Sequence, residues 1–250
     1  MTYKYLIAAS VCCVLLVSSV FGQTGEVYSL NIVGFQKVAS ESSGLSMVST
    51  PFERTPATLD DVLGDQLTAG KSQSQADQVI IWNATGAYYE TYWLKNTDQK
   101  WYTAGALPEL ASNTYVSTEM GFWVRNRRDS NQIVVVSGDV VDDPVLTNYL
   151  IQGLTMVSYP FSTEVDINEC GLTNGTAGKS QSVADQIIAW DANLQAYETY
   201  WLKNTDRKWY TGGALPEVAT NVLVGAGRGF WYRNRGDSTF EWIEARPYTL

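Results

Sequence analysis

The chain has 250 residues, 45% of them hydrophobic and 17% charged, which excludes a disordered polypeptide and allows one or two domains with a substantial core. A formal net charge of −9 leaves no basic stripe for nucleic acid or an anionic membrane, and the absence of histidine removes Ser-His-Asp and Cys-His catalysis along with every histidine metal site. The aromatic load (9 Trp and 15 Tyr against 7 Phe) favours strands and contact surfaces.

Residues 1–22 read as a signal peptide. Lys4 gives the positive start, "YLIAASVCCVLLVSSV" the apolar stretch, and a cut near Gly22 is expected. Cleavage removes Lys4 and no acid, so the mature charge becomes about −10. Cys12 and Cys13 leave with the peptide, and Val11 before them is not the small residue a lipoprotein cysteine requires. The apolar run is too short to prefer a spanning helix, and no second one follows. The mature protein is therefore expected outside the cell, secreted or on the cell surface, with no membrane span.

The remainder alternates short apolar strands with turns. "EVYSLNIVGFQKV" and "LSMVSTPF" come first. One short helix is expected in "TPATLDDVLGDQL", with Thr55 as cap, Pro56 at the first position, Asp60 and Asp61 in the first turn, and Leu59, Val62, Leu63 and Leu67 on one face. "DQVIIWNATG" reads as a strand and turn, and "YYETYWL", "KNTD", "QKWYT" as an aromatic hairpin. "GFWVRNR" and "NQIVVVSG" complete the set.

The pattern then recurs. From Ala69 to Ser130, residue n aligns with residue n+108 without a gap, and 42 of the 62 positions are identical. "GLSMVSTPF" (44–52) matches "GLTMVSYPF" (153–161) at an offset of 109. The expected organisation is all-β: after the signal peptide, two tandem antiparallel sandwich- or barrel-like repeat units, 23–140 and 141–250, each with one short helix. The one remaining cysteine, Cys170, aligns with Val62 and reads as a small buried hydrophobe. The succession "GLSMVSTPF", "IIW", "GFWVRN" resembles a class of secreted bacterial tandem β-repeats, common in planctomycete- and verrucomicrobia-like bacteria and without assigned biochemistry. That resemblance implies an extracellular all-β protein and transfers no catalytic residue.

Motifs that suggest chemistry fail on inspection. "AGKSQS" (69–74 and 177–182) lacks the glycine a phosphate loop needs four residues earlier, since Asp65 and Thr173 stand there. "DANLQ" (191–195) has spaced oxygen ligands for calcium, but its counterpart is "NATGA". "RGDS" (235–238) aligns with Arg127, Arg128, Asp129 and Ser130, which points to a turn between strands. Glu90 and Glu198 are the only recurring acids beside aromatics, one per hairpin, too few for a two-carboxylate glycosidase site within either unit. No enzymatic activity, cofactor or metal is expected.

Alternation puts Phe122, Val124 and Asn126 on a core face, with Trp123, Arg125 and Arg127 on the other; Trp231, Arg233 and Arg235 repeat that second stripe. With Tyr92, Trp93, Tyr200, Trp201, Glu90 and Glu198, these residues form the candidate contact surface. It suits either a neighbouring copy of the chain or a glycan; within the chain, its arginines could instead stack on the hairpin tyrosines and pair with Glu90 or Glu198. Between Tyr89 and Glu109 only Gln99 and Ala104 differ from their counterparts, stricter keeping than burial alone demands. The leading expectation is an exported, self-associating structural protein of a filament, sheath or surface layer; the alternative is a carbohydrate-binding adhesin with two equivalent sites.

Overall fold

A computed structural model describes residues 32–225 and 227–249; the expected signal peptide lies outside the described residues. The first half of the chain contains β1 (Val33–Ser40), β2 (Leu45–Ser49), β3 (Phe52–Glu53), helix α1 (Leu59–Val62), β4 (Gln78–Asn83), β5 (Tyr88–Lys95), β6 (Lys100–Thr103), β7 (Gly121–Arg125) and β8 (Gln132–Val140). The second contains β9 (Val145–Leu150), β10 (Gly153–Ser158), β11 (Glu164–Asp166), a 3-10 turn (Gly171–Asn174), β12 (Gln186–Asp191), β13 (Ala196–Leu202), β14 (Trp209–Thr211), β15 (Leu223–Gly225), β16 (Gly229–Asn234) and β17 (Phe240–Ala245). The fold is all-β, and among the described residues no helix is long and apolar enough to cross a membrane.

Two five-stranded antiparallel sheets dominate, in the orders β2-β7-β4-β5-β6 and β10-β16-β12-β13-β14. Smaller antiparallel sheets accompany them: β1-β8-β3 with the first, and β17-β9 and β11-β15 with the second. Strand alternation sends one face of each large sheet into a core. Val79, Tyr92, Leu94, Phe122 and Val124 meet Val134 and Val136 of β8 in the first. Ile187, Tyr200, Leu202, Phe230 and Tyr232 meet Trp242 of β17 in the second.

The helix differs from expectation. Leu59, Val62, Leu63 and Leu67 are buried as their spacing predicts, but Thr58, not Thr55, is the cap. Its side chain accepts from Asp61 N, and Asp61 reciprocates at the Thr58 N–H. The start is delayed because the preceding chain is extended: Val116 N donates to Ala57 O and Leu59 N to Thr114 O. In the second half the same stretch makes only the 3-10 turn, begun by Cys170, whose side chain makes no capping bond. Cys170 is buried, and burial pushes its thiol up to about 12.

Candidate functional site

In the hairpin of β5 and β6, Tyr92 pairs with Thr103 and Leu94 with Trp101. The loop that follows β5 is held from several sides. Tyr102 Oη donates to Asp98 Oδ2 (2.9 Å), Lys95 Nζ sits 4.8 Å from the Tyr102 ring centre, and Asn96 N donates to Gly70 O (3.0 Å). The second copy repeats each contact through Tyr210, Asp206, Lys203, Asn204 and Gly178. "AGKSQS" thus supplies, at Gly70 and Gly178, the carbonyls that seat the hairpin loop. A Cβ on Gly70 would stand 2.6 Å from Ala76 N, so close backbone approach explains that glycine. Much of the faithful copying between Tyr89 and Glu109 is loop geometry.

The other face of each large sheet meets its counterpart. Met47, Trp123, Met156 and Trp231 form one buried cluster, with Leu45, Ile80, Trp82, Leu154, Ile188 and Trp190 against it. The contacts are reciprocal. Trp82 Nε1 donates to Leu154 O and Trp190 Nε1 to Leu45 O, both at 2.8 Å. Trp82 meets Trp231 edge-on at 5.4 Å, and Trp190 meets Trp123 at 5.2 Å. Tyr89 and Tyr197 complete the two aromatic triads, at 6.2 Å and 6.3 Å from the opposing tryptophan. Gly121 and Gly229 touch at the centre; a Cβ on Gly121 would lie 2.8 Å from Val157 O and 3.1 Å from Gly229 Cα.

This arrangement places the sequence-derived candidates differently from an open stripe. Trp123 and Trp231 are 4% and 5% exposed, because the face that would stack a sugar or a neighbouring molecule is covered by the other half of the chain. Trp93 and Trp201 are also buried, their indole N–H groups donating to Thr103 O and Thr211 O. Arg125, Arg127 and Arg235 remain exposed and Arg233 half-buried. Two of these four arginines bond to glutamines through their side chains: Arg127 Nη2 to Gln78 Oε1 (3.3 Å) and Arg233 Nη1 to Gln186 Oε1 (3.1 Å).

Glu90 and Glu198 lie on the opposite face, beside Tyr92 and Tyr200. Tyr92 Oη donates to Glu90 Oε2 (2.6 Å) and Asn83 Nδ2 to Glu90 Oε1 (3.2 Å). The Tyr92 hydrogen bond, then that of Asn83, holds the Glu90 carboxyl below its usual range, while burial and Glu90 push the Tyr92 phenol up to about 12. Tyr200 Oη donates to Glu198 Oε2 (2.7 Å). Glu198 borders a polar cleft of about 610 Å³ that includes Asp191, Asn193 and Arg228 and is walled by Gln36 and Lys37 of β1. Asp191 itself caps a turn, its Oδ1 accepting from Asn193 N and Leu194 N.

One pair of residues escaped the sequence reading, and a second pair, placed on the core face by alternation, has a role the pattern did not give. Asp77 is fully buried, with Oδ2 accepting from Thr68 N (2.7 Å) and Oδ1 from Arg127 N (2.8 Å). Asp185 repeats this with Thr176 N and Arg235 N and adds the Tyr232 hydroxyl (2.6 Å). Asn126 and Asn234 staple the turns after β7 and β16: Asn234 Nδ2 donates to Leu150 O and Ser238 O, and its Oδ1 accepts from Gly236 N. "RGDS" therefore runs through a stapled turn. The available signal was identity between the copies at polar positions inside apolar stretches.

One exposed feature is also kept. After β6 and β14 the chain makes the loop "GALPE", in which Leu107 and Leu215 are 87% and 89% exposed. Thr103 N donates to Glu109 O and Glu109 N to Thr103 Oγ1, both at 2.9 Å, and Thr211 and Glu217 repeat the clasp. Each loop is a closed, apolar-tipped knob. No family model, curated protein or solved structure matches this chain.

Proposed function

We propose that the chain is an exported, non-enzymatic building block that self-associates into an extracellular filament, sheath or surface layer. In this reading it consists of two tandem sandwich units docked through their aromatic faces. The N-terminal apolar segment and the resemblance to secreted bacterial tandem β-repeats support export. The observation that carries self-association is the pair of identical knobs. Burial within the chain does not account for keeping Leu107 and Leu215, which lie almost wholly in solvent, whereas a repeated contact does. Two copies of one contact on one chain allow each molecule to engage two others, the requirement for an extended assembly.

The test is light scattering on residues 23–250 over a range of concentration, salt and calcium. Mass is expected to grow with concentration. Leu107→Asp combined with Leu215→Asp holds the chain monomeric with an unchanged circular dichroism spectrum, and either change alone stops growth at small oligomers. A wild-type chain that stays monomeric throughout contradicts the reading.

A carbohydrate-binding role has one observation in its favour, the polar cleft beside Glu198, which carries groups of both signs. Under that reading the cleft beside Glu198 holds the sugar, and Glu198→Gln abolishes any glycan-array signal.

A further inference from the structure

The tryptophans of the docked faces and the strand residues they bond match between the copies, but one corner beside them does not. Gln195, in the turn after β12, reaches the edge of β2 with its side-chain amide. Leu45 N donates to Gln195 Oε1 (3.0 Å) and Gln195 Nε2 donates to Leu45 O (3.0 Å), beside the bond from Trp190 Nε1. Gly44 makes room, since a Cβ there would lie 3.1 Å from both amide heteroatoms.

At the corresponding corner the residue is Ala87, which shares the left-handed backbone of Gln195 (φ 54° against 49°), so the two corners differ there in side chain and not in turn. Trp82 Nε1 still donates to Leu154 O. A groove of about 540 Å³ lies between Trp82, Ala87, Gly153 and Leu154, flanked by Arg233 and Arg235. β10 is a sheet edge, and the Leu154 carbonyl points outward to Trp82. In an extended strand the N–H and C=O of one residue point to the same side, so the Leu154 N–H faces the groove as well.

We infer that this groove is a binding site for a primary carboxamide. The ligand's C=O accepts from Leu154 N–H and its NH2 donates to Leu154 O, the two bonds Gln195 makes to Leu45. A carboxylate fits less well despite the arginines, because it presents lone pairs to the Leu154 carbonyl. The first corner has the matching arginines, Arg125 and Arg127, and there the occupant is a neutral amide. The amide can belong to a free small molecule or to a glutamine or asparagine side chain of a second copy of this chain.

The test follows the Trp82 indole and Leu154 amide resonances of the mature protein in 15N-correlated NMR spectra. The probe is N-acetyl-L-glutamine methylamide, with the glutamate and methionine analogues as controls. Saturable shifts are expected with the glutamine probe alone, half-complete at a concentration on the order of millimolar for a ligand of this size. Ala87→Gln, which supplies the amide from within the chain, abolishes the response. Gln195→Ala adds a second responding site at Trp190 and Leu45. Concentration-dependent shifts without probe, lost in Ala87→Gln, assign the amide to a second copy; invariance to protein concentration with a saturable probe response assigns it to a free ligand. Unmoved Trp82 and Leu154, an equal response to the glutamate analogue, or a full response in Ala87→Gln overturns the assignment.

Discussion

On the face where the halves dock, Met47, Ile80, Trp82, Tyr89, Gly121 and Trp123 have Met156, Ile188, Trp190, Tyr197, Gly229 and Trp231 as counterparts, identical in every pair. In the cores behind that face, Ile81 becomes Ala189, Val124 becomes Tyr232, and Val134 and Val136 become Trp242 and Glu244. The contrast follows from self-complementarity. At this reciprocal contact a side chain must fit both its own sheet and the facing one, whereas a core residue answers only to its own half. The corner at Ala87 and Gln195 departs from that rule, and so does the edge where Glu119 and Met120 have Gly227 and Arg228 as counterparts.

The contrast breaks most readily at the docked face. Trp123→Ala and Trp231→Ala are each expected to cost about 3–5 kcal/mol in chemical denaturation, through lost apolar burial and the cavity left behind. Reciprocity predicts that the two costs agree within about 1 kcal/mol, and a clear inequality would show that the triads are not equivalent.

A smaller effect separates the cores. Trp101 Nε1 donates to Gly64 O (3.1 Å), whereas the buried Trp209 Nε1 has no hydrogen-bond partner among the described residues. Trp101→Phe is therefore expected to cost about 1 kcal/mol more than Trp209→Phe, because only the former loses a hydrogen bond.

The smallest effect concerns pH. Glu244 stands where the first half has Val136, and its Oε1 accepts from Trp242 Nε1 and Gly171 N, both at 2.5 Å. Burial outweighs these donors and raises its pKa above the ordinary carboxylate value of 4.5. Its contribution to stability is thus full below pH 4.5 and is lost as pH rises through the folded value. Glu244→Gln is expected to match wild type near pH 4 and to melt higher at pH 7. Val136 has no such dependence, and Glu90, whose pKa is lowered, works in the opposite direction.

Alternation and turn chemistry made much of this legible in the sequence. The hairpin, the core side of Phe122 and Asn126, the buried side of Leu59 and Val62, and the inert Cys170 all follow from periods and pairing. Alternation sorts residues onto faces but does not say what covers a face, so Trp123 read as surface although it faces Trp190. The acids were misplaced for a related reason. Glu90 and Tyr92 are two apart and share a face, which makes the tyrosine, and not an arginine across the strand, its natural partner. Thr58 was passed over as cap because its extended pairing with Tyr115 is non-local.

The docking of the halves is tested most directly by nuclear Overhauser contacts from the two indole N–H protons. Cross-peaks from Trp82 Hε1 to Leu154 and from Trp190 Hε1 to Leu45 are expected together, with the Trp123 and Trp231 rings protected from an aqueous quencher. Absence of both cross-peaks, with those rings open to the quencher, would contradict the account.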